Sequence, residues 1–312
     1  MPVESEPEPA RATDELRHQP GDGPLWGESW YLDFTDPDQA IGGYVRLGLY
    51  PNQQRAWYWA CVVGPDRPLV TVIDHDIRPP TAPSLEIRTE GLWADYTVET
   101  PLDHVTVGVE AFAVGCADPA DVYADGDLRG DRVPLGFDLE WETDGGTYAY
   151  PGVTRYEVPC HVHGEVLLGQ ERIEIDGWGQ RDHSWGVRDW WSIAWSWTAG
   201  RLDDGTRFHG TAVDLDGTPV YGTGYVQPTG AAMTAVSEVG HTEIAAPDGL
   251  PATGTWRVGE LDLTVTPVAF APVLLTADDG RVSRFPRAWC RFDAADGRSG
   301  HGWTEWNQPQ GG

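Results

Sequence analysis

Residues 176–198, DGWGQRDHSWGVRDWWSIAWSWT, constrain the fold of this chain more than any other stretch. From residue 191 onward a large apolar side chain occupies every second position, and smaller side chains fill the positions between them. This period of two predicts a β-strand with one aromatic face. That face is expected to carry Trp191, Ile193, Trp195 and Trp197. Earlier in the stretch, Gly177, Gly179 and Gly186 predict bends or bulges where a strand enters or leaves a sheet.

The same alternation recurs along the chain and predicts an all-β fold. Short segments with alternating apolar residues are separated by turns rich in Gly, Pro, Asn and Asp, and no segment has a convincing amphipathic helical pattern. The expected strands are residues 28–34, 43–50, 55–63, 69–74, 84–89, 92–99, 104–112, 137–143, 147–150, 191–199, 207–215, 220–226, 287–292 and 300–306. Residues 113–135 are expected to form a long loop. Many short strands of this kind are typical of β-sandwiches and β-barrels.

The length of 312 residues favours two halves of about 150 residues each. Residues 1–24 are rich in Pro, Glu, Asp and Gly, which predicts a disordered acidic tail. We expect an N-terminal β domain over residues 25–165 and a C-terminal β domain over residues 166–312, the latter carrying the RDHSWG motif. The order of strands and turns in residues 28–63 recurs in residues 191–226 and suggests a weak internal duplication.

Charge and cysteine usage limit the partners of the chain. The formal net charge is −28, and the sequence contains no lysine. Nucleic acids and anionic membranes need basic patches, so neither is an expected partner, and no run of residues is long enough to span a bilayer. The four cysteines are far apart, which favours free thiols and a cytoplasmic location. The expected partner is a small apolar molecule, and the oligomeric state is left open.

Two motifs resemble a known superfamily. The first motif is GQRDHSWG at residues 179–186, followed by RDW at residues 188–190. The second motif is ESWY at residues 28–31. Together they resemble hydroxyneurosporene synthase (carotenoid 1,2-hydratase) and AttH-like proteins, in particular the branch that carries the RDHSWG string. In layout the likeness spans most of residues 25–310.

The resemblance implies two lipocalin-like β-barrel or sandwich halves, a ligand cavity and no cofactor. It also implies chemistry on isoprenoid or polyene double bonds, either hydration or guided cycloaddition. The His-x-Trp of the hydratases falls on His183 and Trp185. The Tyr-x-Asp that those enzymes carry about one strand later has no counterpart in residues 207–214.

Hydration of an unactivated alkene needs an acid, a pocket that stabilises a carbocation, and a placed water molecule. A carboxylic acid kept neutral by burial can be the acid, and tryptophan faces can stabilise the cation. We therefore expect Asp182 to be the acid and His183 its partner or the base, with Asp189 as a further catalytic candidate. The residues expected to bind substrate are Trp185, Trp191, Trp195, Trp30, Tyr31, Arg181, Arg188 and His209.

Two other interpretations of these residues stay open. The arginines and aspartates of the motif can instead form a buried ion-pair network, with the tryptophans as ordinary core. His161, His163 and Glu165 fall on one face of a strand and could bind a metal, although the spacing of a cupin is absent and no metal is expected.

The function predicted from these observations is that of a cofactor-independent hydratase or dehydratase, isomerase or cyclase acting on an apolar isoprenoid-like or polyene substrate. The alternative is a lipocalin-type carrier of a hydrophobic small molecule, which would use the same cavity without chemistry.

Overall fold

The computed structural model describes residues 8–124, 128–215 and 218–311. These residues form strands and three short 3-10 helices, Ala12–Glu15, Pro51–Gln53 and Pro119–Tyr123. The strands of the first half are β1 (Trp26–Asp36), β2 (Ile41–Tyr50), β3 (Arg55–Gly64), β4 (Arg67–Ile77), β5 (Ile87–Thr89), β6 (Leu92–Thr100), β7 (His104–Cys116), β8 (Asp131–Thr143), β9 (Tyr148–Ala149), β10 (Arg155–Leu168) and β11 (Glu171–Val187). The strands of the second half are β12 (Ala194–Leu202), β13 (Arg207–Leu215), β14 (Thr218–Gln227), β15 (Thr234–Val236), β16 (Val239–Ala245), β17 (Pro251–Val258), β18 (Leu261–Phe270), β19 (Val273–Thr276), β20 (Val282–Phe285), β21 (Arg287–Ala294) and β22 (Ser299–Gln310).

The first half is a closed barrel. Its strands follow the order β4-β3-β2-β1-β11-β10-β8-β7, and β4 also pairs with the far end of β7, which closes the ring. All these pairings are antiparallel, and β5, β6 and β9 extend the sheet at its rim. Closure removes the exposed edges that an open sheet would leave.

The second half is a curled antiparallel sheet. Its order is β15-β14-β13-β12-β22-β21-β18-β17-β16, and the hairpin β19–β20 joins β22. The end strands β16 and β17 pack back against β13. The prediction of an all-β fold with two lipocalin-like halves is therefore confirmed. No helix among the described residues has the length and apolar character needed to cross a membrane.

The two halves pack against each other through aromatic side chains. One apolar cluster fills the first barrel, another fills the second sheet, and a third lies between them. Within this third cluster Tyr44 donates a hydrogen bond to the carbonyl of Ala271 at 3.1 Å. Trp303 donates in the opposite direction, to the carbonyl of Phe34 at 3.0 Å. The halves thus share a buried core.

Strand β11 runs without interruption through the glycines that were expected to bend it, so that prediction is wrong for Gly177 and Gly179. A Cβ atom at Gly177 would collide with the carbonyl oxygen of Thr35, and one at Gly179 with that of Asp33. These glycines allow β1 to approach β11 closely. Close approach of another backbone explains glycine within a strand without any bend or bulge. Only Gly186, near the end of β11, has a positive φ, of 124°.

Sheet membership differs from the predicted division at residue 165. Strands β10 and β11 form a hairpin of the first sheet, and the chain crosses to the second sheet in residues 188–193. The RDHSWG motif consequently lies in the first half. The predicted loop over residues 113–135 is also shorter than expected, because β7 continues to Cys116 and β8 begins at Asp131.

The aromatic strand begins later than predicted. β12 starts at Ala194, so Trp191 and Ile193 lie in the connection that precedes it. The side chain of Asp189 holds this connection as a turn, accepting hydrogen bonds from the Trp191 amide at 3.0 Å and the Ser192 hydroxyl at 2.6 Å. An aspartate side chain that accepts hydrogen bonds from nearby backbone amides competes with strand pairing. The residues that follow Asp189 therefore form a turn, and the strand begins only after it.

The segment 8–24 is ordered against the first barrel, contrary to the predicted disordered tail; residues 1–7 lie outside the described residues. Glu15 is 2% exposed, and its carboxylate accepts from Arg181 Nη1 at 2.8 Å and from the Leu102 amide at 3.0 Å. Arg17 donates to the carbonyls of Pro80 and Ser84. The acidic composition suggested disorder, but the buried ion pair between Glu15 and Arg181 helps to hold the segment against the barrel.

We expect Glu15→Gln to destabilise the protein by about 3 to 5 kcal/mol, because it leaves the buried Arg181 guanidinium without its counter-charge. Urea unfolding at neutral pH measures this change. Glu8→Gln is the matched control, since Glu8 is exposed and pairs with Arg11, which is exposed as well. Equal unfolding midpoints for the two variants would contradict the role assigned to Glu15.

Candidate functional site

The alternation of β11 divides the RDHSWG motif between two sites. Arg181, His183 and Trp185 point into the first barrel, whereas Asp182 points outward, toward the second half. Neighbouring residues in a strand face opposite sides of the sheet. The sequence predicted that Asp182 and His183 act as partners. Because they lie on opposite faces of the sheet, they cannot contact each other.

The inward site is a histidine–glutamate–histidine cluster. Glu28 Oε1 lies 3.0 Å from His183 Nε2 and 2.7 Å from His18 Nδ1. The His18 ring stacks on Trp185 with ring centroids 3.7 Å apart, and His183 stacks on Trp30 at 4.5 Å. Burial raises the pKa of the Glu28 carboxyl, but the hydrogen bonds from His18 and His183 outweigh it and hold that pKa below its ordinary value. The cluster ties the N-terminal segment to β1 and β11.

The outward site begins with an ion-pair triad. Arg155 Nη2 lies 2.8 Å from Asp182 Oδ2 and 2.7 Å from Glu157 Oε1. Arg155 and Glu157 are two apart on β10, and Asp182 is directly opposite Glu157 on β11. The pairing register thus brings the three charged groups to one face, which is turned toward the second half.

Glu157 is the hub of this outward site and is fully buried. Its Oε1 accepts hydrogen bonds from Arg155 Nε at 2.8 Å, Trp197 Nε1 at 3.0 Å and the Tyr150 hydroxyl at 3.0 Å. Its Oε2 accepts from Gln180 Nε2 at 3.0 Å. Trp197 belongs to the second half, so this carboxylate joins both halves through satisfied hydrogen bonds.

Tyr150 connects the hub to His209. The Tyr150 hydroxyl lies 2.7 Å from His209 Nε2 and 2.6 Å from the Thr211 hydroxyl. His209 Nδ1 lies 2.9 Å from the Thr198 carbonyl, which can only accept, so Nδ1 carries the proton and Nε2 is an acceptor. The single hydroxyl hydrogen of Tyr150 therefore has two acceptors within reach, Glu157 Oε1 and His209 Nε2, and is shared between them. The arrangement can pass a proton from the Tyr150 oxygen to His209.

Burial controls the protonation of this site. It raises the pKa of Asp182, against the opposing effect of Arg155, and raises the pKa of Tyr150 well above its ordinary value. Burial, together with the charge of Arg155, lowers the pKa of His209 to about 3. At neutral pH the site therefore contains a neutral imidazole, a protonated phenol and a carboxyl group of raised pKa.

A cavity of about 330 Å³ opens onto this cluster between the two halves. Its walls come from the end of the first sheet, the connection 188–193 and the face of β12–β14. The lining residues are Tyr150, Val153, Arg155, Val187, Arg188, Asp189, Trp190, Ile193, Trp195, Thr211, Val213 and Tyr221. A void within the first barrel, beside Trp30 and Tyr96, measures only about 10 Å³. The space for a small molecule at this site is thus between the halves, and its volume is in the range of small-molecule sites.

Comparison with models of protein families assigns the chain to one family. One family model, described as a domain of unknown function (DUF7064), matches residues 11–310. The chain belongs to this DUF7064 family. No curated protein sequence matches it significantly.

Solved structures share the fold of this DUF7064 protein at low sequence identity. An AttH-like protein of Nitrosomonas europaea has a TM-score of 0.64 at 12% identity, with 91% of this chain and 92% of that chain covered. Kievitone hydratase of Nectria haematococca has a TM-score of 0.60 at 11% identity, covering 97% of each chain. CghA has a TM-score of 0.56 at 11% identity, covering 93% of this chain and 90% of that one. The neighbours are thus AttH-like and hydratase-type proteins, and at these identities the likeness shows the fold.

Several of the predicted site residues lie around the cavity. Arg188, Asp189 and Trp195 line it, Asp182 lies behind Arg155, and His209 lies behind Tyr150. Asp189 is at the rim, where its carboxylate pairs with Arg281 at 3.0 Å.

The other predicted residues lie elsewhere in the DUF7064 fold. Trp30, Arg181, His183 and Trp185 face the interior of the first barrel. Trp191 donates to the carbonyl of Leu275 at 3.0 Å. Tyr31 lies over Arg287, which contacts Glu305 in a separate buried cluster.

Sequence reasoning missed Tyr150, Arg155, Glu157, Gln180 and Thr211. The alternation of Arg155 and Glu157 was visible, but only the register between β10 and β11 places them beside Asp182. Tyr150 and Thr211 belong to different halves, and no local pattern connects them.

Two groups of side chains among the described residues could hold a metal ion: His18, Glu28 and His183, and on the outer face Glu142, His161 and His163. Glu165, which the sequence placed with the two exposed histidines, instead pairs with Arg172 at 2.9 Å. The third ligand of the exposed group would come from the neighbouring strand β8. In both groups each residue offers a ligand atom of the type that binds zinc or similar ions.

We expect the stability of the protein to depend on pH through Glu28. Its pKa is lower when folded than its ordinary value of 4.5, so the unfolded chain binds the proton more readily. The stabilisation by Glu28 is complete above that ordinary value and is lost as the pH falls through the lowered pKa. Urea unfolding at about pH 5 and about pH 3 should show a smaller pH-dependent loss of unfolding free energy for Glu28→Gln than for the wild type. Glu174→Gln, at an exposed position, is the control, and a wild-type slope in Glu28→Gln would refute the assignment.

Proposed function

We propose that this protein is a cofactor-independent hydratase or dehydratase, or an isomerase or cyclase, that acts on an apolar isoprenoid-like or polyene molecule in the cavity between its halves. One observation carries the proposal. An apolar cavity lined by Trp190 and Trp195 reaches Tyr150 and Arg155, and Asp182 lies in direct contact with Arg155. Acid–base groups are thereby placed at the base of a hydrophobic site.

In the proposed reaction Asp182 supplies the proton. Its neutral carboxyl group protonates one carbon of the double bond, and the neighbouring carbon becomes cationic. Burial favours the neutral form of the carboxyl, as the raised pKa indicates. The faces of Trp190 and Trp195 stabilise the cation by about 1 to 2 kcal/mol each when water is excluded.

Tyr150 and His209 receive the proton that water loses. A water molecule held by the Tyr150 hydroxyl adds to the cation, and its excess proton moves through the Tyr150 oxygen to His209 Nε2. A neutral imidazole whose Nε2 is unprotonated can accept it, and transfer back to Asp182 restores the starting state. The reverse sequence is dehydration, and loss of a proton from a different carbon gives isomerisation.

The comparisons support this class of function. Kievitone hydratase shares the fold over nearly the whole chain, and the RDHSWG motif resembles that of carotenoid 1,2-hydratases. In our proposal His183 and Trp185 position β11 from inside the barrel, Asp182 on the opposite face is the acid, and Asp189 shapes the cavity rim. We further propose a cytoplasmic protein whose partner is a small apolar molecule and not a nucleic acid.

A carrier function is the second candidate. The ion pair between Arg155 and Asp182 opposes the protonation of that carboxylate, and the donors around Glu157 are already satisfied. If Asp182 stays ionised, the same cavity binds a hydrophobic molecule without chemistry. Turnover distinguishes the two functions.

We expect the wild type to add water to one or more members of a panel of acyclic isoprenoids and prenylated phenols. Incubation in heavy-oxygen water followed by mass spectrometry detects the added oxygen. Asp182→Asn should reduce turnover by at least about a hundredfold, because general acid catalysis is worth that much, while ligand affinity measured by calorimetry stays the same.

Asp138→Asn, at an exposed position on β8, is the matched control. Full turnover by Asp182→Asn would remove Asp182 as the acid. Binding without turnover by the wild type across the panel would favour the carrier.

A further inference from the structure

We propose that the cavity between the halves recognises an anionic group on its apolar ligand, and that Arg188 is the residue that binds this anion. The substrate class is then an amphipathic monoanion, an apolar chain or ring system that ends in a carboxylate. The inference rests on the proposed function, since it concerns the ligand of the same cavity.

The charged side chains that line the cavity are Arg155, Arg188 and Asp189. Arg155 is compensated by the fully buried Glu157 carboxylate, and Asp189 is compensated by Arg281. The Arg188 guanidinium has neither an ion pair nor a hydrogen bond with any residue in the described parts of the chain. Among the described residues, Arg188 is therefore the cation of the cavity wall that has no counter-charge.

Arg46 adds further positive charge behind the wall. Its guanidinium lies 5.2 Å from the ring centroid of Trp190 and 4.5 Å from that of Trp59. Arg46 is 5% exposed, and its Nη2 donates to the Tyr50 hydroxyl at 3.2 Å. Its Nη1 is buried without a hydrogen-bond partner among the described residues. Buried donors are normally satisfied, so this donor is a polar group of Arg46 that the described residues leave without compensation.

The protonation of Arg188 is consistent with such a site. Burial, and after it the charges of Arg155 and Arg46, lower the pKa of Arg188 to about 10, while Asp182 acts in the opposite direction. At neutral pH the guanidinium is still charged. A cation that burial and its neighbours disfavour gains free energy when an anion binds beside it.

The net charge of the whole molecule and the local charge of Arg188 act on an anionic ligand in opposite directions. With a formal net charge of −28, the protein repels anions at long range. Salt screens that repulsion within about 10 Å, so the half-buried Arg188 guanidinium can dominate inside the cavity. The remaining walls, which include Val153, Val187 and Val213, are mostly apolar. A ligand must therefore combine one anionic group with an apolar body.

The experiment compares two probes of equal chain length, farnesoic acid and farnesol, by isothermal titration calorimetry with the full-length protein at neutral pH. We expect the acid to bind about ten- to a hundredfold more tightly than the alcohol, as for a hydrogen-bonded charge pair. Arg188→Gln should abolish this preference and leave the affinity for farnesol unchanged. Arg188→Lys should keep most of it.

Arg172→Gln is the matched control, because Arg172 is exposed on the outer face of the first half and pairs with Glu165. Thermal unfolding tests the fold of each variant, and Arg188→Gln should melt no lower than the wild type, since it removes a half-buried charge that has no partner among the described residues. Equal affinity for acid and alcohol in the wild type would overturn the anion site and leave the proposed apolar cavity intact. A preference for the acid that persists in Arg188→Gln would overturn the role of Arg188, and failure of both probes to bind would overturn the inference.

Discussion

The carboxylate of Glu157 is the interaction on which the rest of the structure depends. It has no exposed surface and accepts hydrogen bonds from both halves, from Arg155, Tyr150 and Gln180 on one side and from Trp197 on the other. A buried carboxylate is tolerated only when it is paired and fully hydrogen-bonded. The halves can therefore join in only one relative position, and that position creates the cavity.

The same constraint explains why the polar groups at the cavity are preorganised. Tyr150 is held between Glu157 and His209, and Thr211 approaches it from the second half. Burial keeps the imidazole of His209 neutral and the phenol of Tyr150 protonated. These protonation states are thus fixed before any ligand binds.

The inward cluster has a different role from the outward one, although both use the RDHSWG motif. His183 and Glu28 join β11 to β1 and to the N-terminal segment, while Asp182 on the opposite face contacts Arg155, which lines the cavity. The motif is continuous in sequence, but its residues therefore belong to two separate sites. The physical reason is the period of two in a strand, which separates adjacent side chains by the thickness of the sheet.

The sequence by itself determined many of the strands, although β10, β11 and β15 to β20 were not among the predicted segments. The predicted segment 207–215 coincides with β13, and most of the other predicted strands differ by a few residues at their ends, because alternation and turn chemistry are local signals. The all-β class follows from the same signals. They also identified Asp182 and the tryptophan-rich stretch as the region around which to look for a site.

Only the tertiary structure decided which residues meet. The register of β10 against β11 placed Arg155 and Glu157 beside Asp182, and the packing of the two halves brought Tyr150 to His209. It also ordered the N-terminal segment through Glu15 and extended β11 through its glycines. These contacts join residues far apart in the chain, and their energies depend on burial, which no local pattern specifies.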